Sequence, residues 1–402
     1  MSDAAACSNG SDVRKPIVAT KLLEASLSDC EDLVLSSAPN ETKSRIHFAN
    51  LLACCPKFYK LTSVDFKDGF SMGDNARYVF RASRDAHKSI TRLFDFVHPT
   101  AISLWNLRWQ VQGYISSVPE ADAKMLEARF ASGSGIGAGS LKRATVETTW
   151  NEQLGSFASF ILINTIAIFE DYVSAICEVS SLSNSQKRAV EKQLQFPSAS
   201  NNGGFSEARS TLGVSNLVAG AVTWDQRTAR RIDEANIDSL LICFRYFKEL
   251  RNSISHNGGR VGQRQLDAQS DYHQAIANGK IGSVQAPDYL PAQTLADEAK
   301  PIYRGVIGFS EVILHIIATY DYILSQTPVV ENELRAVLVL DKMMWPTSKI
   351  GKMRRFNKIF DRNRFPKFVP APDLVAFRLL RGLCGCAGLR SVHDHTRCCV
   401  VG

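Results

Sequence analysis

From residue 237 to residue 254, apolar side chains return every three or four positions: Ile237, Leu240, Leu241, Phe244, Phe247, Leu250 and Ile254. That period buries one face of a helix. The polar residues of the same stretch collect at its end, where Arg251, Asn252 and His256 precede Asn257-Gly258-Gly259. Glycine takes the left-handed conformation at little cost, so the pattern predicts a helix that stops just after His256. A guanidinium, an amide and an imidazole are thus carried to one helix end.

The helical period recurs on both sides of this stretch. Residues 148–180 predict a long helix with Leu154, Phe157, Ile161, Ile168, Tyr172, Ile176 and Val179 on its buried stripe. It is apolar on more than one side as far as Phe169, which suits a helix at the centre of a bundle. Residues 183–195, 205–212 and 232–251 predict further helices. A closing helix over 301–326 carries Ile302, Val306, Phe309, Ile313 and Tyr320, with Pro301 in its first turn, where a missing amide proton costs nothing. Four or five helices between 148 and 326 predict an antiparallel bundle.

Elsewhere the pattern changes. Residues 58–66 and 76–81 alternate and are β-prone, which predicts strands. Residues 100–115 read as a helix, with Trp105 and Trp109 four apart on it and read as core packing ahead of the alternative, a base-stacking platform. Residues 258–299 are long and polar, and read as an insertion that covers the site or contacts a substrate. Residues 1–45 are rich in small polar residues and read as disordered. The run Ser132-Gly-Ser-Gly-Ile-Gly-Ala-Gly-Ser140 lacks the spacing of a phosphate-cradling loop and reads as a flexible connection.

The predicted class is therefore mainly α: a central antiparallel helical bundle with an α+β or irregular N-terminal region and a basic C-terminal extension. The expected divisions are a disordered 1–45, an N-terminal region over 46–131, a glycine-rich linker over 132–147, the helical domain over 148–326 and the extension over 327–402.

Length and charge add modest constraints. A chain of 402 residues exceeds one ordinary domain. Its 45% hydrophobic and 22% charged residues suit a globular core, and a net charge of +7 is compatible with a nucleic-acid partner. The N-terminus shows no secretory h-region, and no apolar run reads as long enough to span a bilayer. Residues 157–169 are too few, and residues 306–324 carry Glu311, His315 and Asp321. The ten cysteines then read as reduced thiols and the protein as cytoplasmic. Cys384, Cys386, His393, His395, Cys398 and Cys399 have the donor types for zinc but not the usual ligand spacing, so no metal site and no cofactor is assigned.

The charge is concentrated after residue 340. Lys352, Arg354, Arg355, Lys358, Arg362 and Arg364 are interleaved with Phe356, Phe360 and Phe365. Cations with aromatics suit an RNA backbone and its unstacked bases. A basic tail packed on an acidic patch, its own or a partner's, is the plainer alternative.

Arginine offers phosphate oxygens a rigid fork of donors, and histidine exchanges protons near neutral pH. Together they can cleave RNA without a metal: histidine deprotonates the ribose 2′-hydroxyl while arginine stabilises charge building on phosphorus. The structural alternative is that both merely favour the negative end of the helix dipole. The string Leu250-Arg251-Asn252-x-x-x-His256-Asn257 resembles the Arg-x4–6-His signature of the HEPN superfamily of helical ribonucleases and toxins. Ile168-Phe169-Glu170-Asp171-Tyr172-Val173 is similar to the acidic-aromatic pattern on that family's first long helix. The resemblance covers roughly residues 148–326. It implies a homodimer whose two motifs face one RNA cleft, a toxin or phage-defence setting with an antitoxin or other defence partner, and catalysis by His256, Arg251 and Asn252. Glu170 or Asp171 would orient them, or else remain a solvated pair. The alternative is a non-catalytic module of the same build that binds RNA or a nucleotide.

Overall fold

The apolar periodicity resolves into helices almost everywhere. The computed structural model describes residues 77–135, 141–200, 203–215, 222–290, 293–340 and 348–368. Two compact units divide the chain, Met1–Ser71 and Met72–Gly402, and all the described residues belong to the second. Among the described residues it is mainly α, 70% helical with eleven α-helices and little strand. The expected disordered start, the strand at 58–66 and the terminal Cys/His cluster lie outside the described residues.

The first helix, α1, spans Arg81–Ser117 and contains Pro99. Its length corrects the shorter helix expected over 100–115. It also corrects the strand expected at 76–81. Tyr78, Val79 and Phe80 are all buried rather than alternating. The amides of Val79 and Phe80 donate to the Asp321 carboxylate at 2.7 and 3.0 Å, where a strand partner would otherwise accept them. A short helix, α2 (Ala123–Phe130), follows.

The glycine-rich stretch leads into a π-helical turn at Arg143–Glu147 and then α3 (Trp150–Val179), whose start carries a capping box of Thr149 and Glu152. Helix α1 lies against α3. The Arg108 guanidinium donates to the Thr148 carbonyl at 2.6 Å, Gln112 donates to the Thr145 carbonyl, and Phe96 meets Phe160. The division expected at 132–147 is therefore a connection within one unit, because α1 supplies part of the surface that buries α3. On α3 the buried face runs through Ile161, Leu162, Ile166, Phe169, Tyr172, Val173 and Ile176. Leu154, Phe157, Ile168 and Val179 of the expected stripe are half-buried.

Helix α4 (Asn184–Gln193) is capped by Ser183, and α5 (Gly204–Leu212) follows. After strand β1 (Val222–Thr223) and the single turn α6 (Gln226–Ala229) comes α7 (Ile237–His256). It buries Leu240, Leu241, Phe244, Phe247 and Leu250 as the period predicts. The polar segment after it is not a long loop. It folds into α8 (Gln263–Ala275) and a hairpin of β2 (Lys280–Ile281) with β3 (Val284–Gln285). Tyr272 of α8 stacks on Tyr246 at 5.1 Å, while buried Gln265 and Gln269 donate to Gln293 and to the Leu290 carbonyl.

Helix α9 (Tyr303–Leu324) is the most deeply buried element. Its N-cap is Ile302, so Pro301 precedes the helix rather than opening it. Phe247 stacks on Phe309 at 4.4 Å and Phe244 meets Phe169 at 4.8 Å, which joins α7, α9 and α3 through one aromatic core. Both α3 and α9 are long and apolar enough, by length and composition, to cross a bilayer, contrary to the sequence expectation. Burial accounts for that composition, since 72% of the apolar window of α9 and half of that of α3 lie inside the protein.

The described residues beyond 327 pack within this unit. Helix α10 (Val329–Leu340) is followed by α11 (Lys349–Arg362) and β4 (Lys367–Phe368), which pairs antiparallel with β1. Phe356, Ile359, Phe360 and Phe365 are buried, and the Arg84 guanidinium lies 4.8 Å above the Phe365 ring.

Candidate functional site

The last two turns of α7 meet α3 through charge. Glu170 Oε2 accepts from Arg251 Nη2 at 2.8 Å, and Glu170 Oε1 pairs with Lys248 Nζ at 2.7 Å. Lys248 also donates to Gln195. The Arg251 and Lys248 side chains are each 18% exposed, so this is a half-sheltered arrangement of two cations around one carboxylate. Lysine and arginine three positions apart share a helix face, which is why both reach the same acid.

A second ridge of α7 carries Arg245, Glu249, Asn252 and His256, at three- and four-residue steps. Glu249 accepts from Arg245 and, at 3.2 Å, from Asn252 Nδ2. Arg245 also lies 4.2 Å above the Phe196 ring. Burial pulls the Arg245 pKa down, and Glu249 opposes that pull.

His256 ends the helix. Its side chain is exposed and makes no hydrogen bond to the described residues. The stop expected after it is present: the Asn257 and Gly259 amides both donate to the Ser253 carbonyl, and Gly258 and Gly259 take φ of 63° and 74°. An α-helix turns by about 100° per residue, so residues five apart lie about 140° apart around the axis. Arg251 and His256 therefore occupy different flanks of α7. Arg251 faces Glu170, while His256 continues the ridge of Asn252 and Glu249.

The structure thus brings Arg251 to Glu170 and Asn252 to Glu249, and leaves His256 at the open helix end. Asp171 is exposed and outside this network. Lys248, Arg245, Glu249 and Gln195 belong to the site and were not singled out from the sequence. Their spacing to Arg251 and Asn252 was the available signal for the first three.

The basic segment sorts into two faces. Arg354, Lys358 and Arg362 are exposed at four-residue steps on α11, and Arg364 is exposed beyond it. Arg355 is half-buried. Lys352 lies on α11, and its side chain is outside the described residues. Phe356 stacks on Phe360 at 4.1 Å, and Phe360 meets Phe365 at 4.8 Å. These rings fill the core beneath α11, which corrects the expectation that they interleave with the cations to stack bases.

Among the described residues no group of three His, Cys, Asp or Glu side chains is placed to hold a metal ion. Cys177 and Cys243 are buried, and burial pushes the Cys177 thiol up to about 12 and raises Cys243 as well, so neither is poised as a nucleophile. A further polar cluster joins Arg231 to Glu311 at 3.0 Å and Glu311 to His315 at 3.5 Å. Burial alone would raise the Glu311 pKa; His315 and Arg231 outweigh it and hold the carboxylate below its usual range. An apolar groove of about 340 Å³ lies between α1 and α3, lined by Phe96, Leu104, Phe157 and Phe160 among others.

No protein-family model, no curated protein and no solved structure matches the chain.

Proposed function

We propose that the chain is a metal-independent endoribonuclease of HEPN type, with a central antiparallel bundle of four to five helices, working as a homodimer in the cytoplasm. The observation that carries this reading is the Glu170–Arg251 contact at 2.8 Å. It ties the acidic-aromatic stretch on α3 to the Arg-x4-His stretch on α7, the two stretches that carry the resemblance to the family.

His256 accepts the proton of a ribose 2′-hydroxyl. The 2′-oxygen then attacks the adjacent phosphorus, and the bond to the 5′-oxygen breaks. The leaving 5′-oxygen takes a proton from water, and the protonated His256 returns its own to solvent, which gives a 2′,3′-cyclic phosphate and a 5′-hydroxyl end. Arg251 stabilises charge on the phosphorane oxygens, where a guanidinium is most effective. Asn252 is a further donor, and Glu170 holds Arg251 in place. Because Arg251 and His256 lie on different flanks of α7, a second copy is needed to bring one chain's histidine near the other's arginine. RNA is the partner, held by Arg354, Arg355, Lys358, Arg362, Arg364 and Lys352. A toxin or phage-defence role, with an antitoxin or other defence partner, is the setting this chemistry fits.

The second reading is a non-catalytic dimer that binds RNA or a nucleotide. It is favoured by the neutralisation of Arg251 by Glu170 and by the azimuth that separates Arg251 from His256. End-group analysis separates the two. Incubation with RNA and with DNA of the same sequence should give RNA fragments ending in cyclic phosphate and leave the DNA intact. Intact RNA alongside tight RNA binding would establish the second reading instead.

A further inference from the structure

The exposed cations of α11 belong to a larger surface, assembled from two stretches more than 100 residues apart. Arg77 is the joint. Its amide donates to Asp225 Oδ2 at 3.2 Å, and its guanidinium reaches Asp361 Oδ1 at 3.3 Å and the Phe365 carbonyl at 3.2 Å. Asp225 is the N-cap of α6, and β1 just before it pairs with β4 just after α11. The two acids at this junction are thereby engaged, Asp225 by three amides and Asp361 by Arg77. Around them Arg227 and Arg230 on one stretch, and Arg354, Lys358 and Arg362 on the other, are exposed and make no ion pair with the described residues.

Three features narrow the partner. Arg354, Lys358 and Arg362 fall on one line of α11, about 6 Å apart along the axis, which suits a polymer of regularly spaced charges. Phe356, Ile359 and Phe360 are turned into the core, and among the described side chains of α11 Ile350, 68% exposed, is the one large apolar group left outside, too little to make a face that inserts into a lipid surface. The same burial leaves no exposed ring between the described cations of α11 to anchor a protein partner, and the half-buried Trp224, packed against Tyr322 beside Arg227, offers at most a ring whose stacking does not distinguish bases.

We infer that Arg227, Arg230, Arg354, Lys358 and Arg362 form one surface that binds the phosphate backbone of nucleic acid without reading its sequence. This deepens the RNA-contact part of the proposed function and does not rest on cleavage. A surface that reads only phosphates accepts DNA as well as RNA, whereas the proposed reaction requires a 2′-hydroxyl.

The test is a salt titration of binding by fluorescence anisotropy. The full-length protein is mixed with a labelled thymidine homopolymer, which the proposed nuclease cannot cut, and with a uridine homopolymer of equal length for the His256→Ala variant. The expected result is comparable affinity for both. Replacing Arg354, Lys358 and Arg362 together by Gln should lower the salt slope by about 2 and the affinity about tenfold, because each single-strand phosphate contact contributes about 0.7 to the slope. Arg227→Gln with Arg230→Gln should lower the slope by about 1. If the triple variant does not fold, the double variant decides. Unchanged slopes would overturn the inference. So would a strong preference for one base, or binding to phosphatidylserine vesicles with none to either homopolymer. Loss of cleavage with binding intact would count against the nuclease and leave this surface standing.

Discussion

Glu170 of α3 and Arg251 of α7 are 81 positions apart in the chain and meet at 2.8 Å, with Lys248 on the other carboxylate oxygen. Removing the carboxylate leaves two half-sheltered cations facing each other. Glu170→Ala should destabilise the fold by about 2 kcal/mol, more than an exposed pair would cost. Glu170→Gln keeps an acceptor and should cost less. Adding Lys248→Met to Glu170→Ala should recover part of the loss. Urea unfolding of the four proteins checks the order. Equal stability throughout would mean that the contact holds nothing in place.

Asp321 makes stability depend on pH. It accepts from the Val79 and Phe80 amides and, at 2.6 Å, from the Ser83 hydroxyl, and faces Arg84 on α1, Tyr172 on α3 and Tyr78 before α1. Burial outweighs these donors and Arg84, and raises its pKa to about 7. The unfolded value is about 3.9, so the folded chain binds more protons between those limits. The stability this gives is fully present below about pH 4 and is lost as pH rises through about 7, a change on the order of 4 kcal/mol. Asp321→Asn should flatten the dependence in that window. Asp321→Ala should cost about 3 kcal/mol by leaving buried donors without an acceptor. Urea midpoints across pH test both.

Two helical glycines should respond with opposite sign. On α3, a Cβ at Gly155 would meet nothing within 4 Å. Gly155→Ala should therefore stabilise by about 1 kcal/mol, the ordinary helix preference. On α9, a Cβ at Gly305 would come within 2.0 Å of the Asp288 carbonyl oxygen, a backbone atom that cannot swing away. Gly305→Ala should destabilise by about 2 kcal/mol despite the same preference. Thermal melts of the two variants read the signs directly.

How much of this was legible depended on whether burial used apolar side chains. Helix α7 was readable because Leu240, Phe244, Phe247 and Leu250 mark its inner face, and Gly258 and Gly259 mark its end. Helix α8 was not, because its buried positions are Gln265, Gln269 and Tyr272, which look polar until their hydrogen-bond partners are known. The segment before α1 looked like a strand because Val79 and Phe80 are β-prone. What fixes it is Asp321, about 240 positions away, which no local pattern reveals. Helix α1 runs through Pro99 and is longer than its apolar pattern marks, because Ser83 at its start is held by Asp321 and Phe96 and Arg108 farther along meet α3. At the site, the motif named Arg251, Asn252 and His256. It could not choose between Glu170 and Asp171, because adjacent residues on a helix differ in azimuth by about 100° and only the position of α7 decides which one faces it.

The most direct test of the central claim is RNA cleavage by purified protein in excess EDTA, wild type beside His256→Ala. The account predicts that the wild type cleaves, that its fragments end in 2′,3′-cyclic phosphate, and that the variant does not cleave. Cleavage by both proteins alike, or by neither on several RNAs, would contradict it.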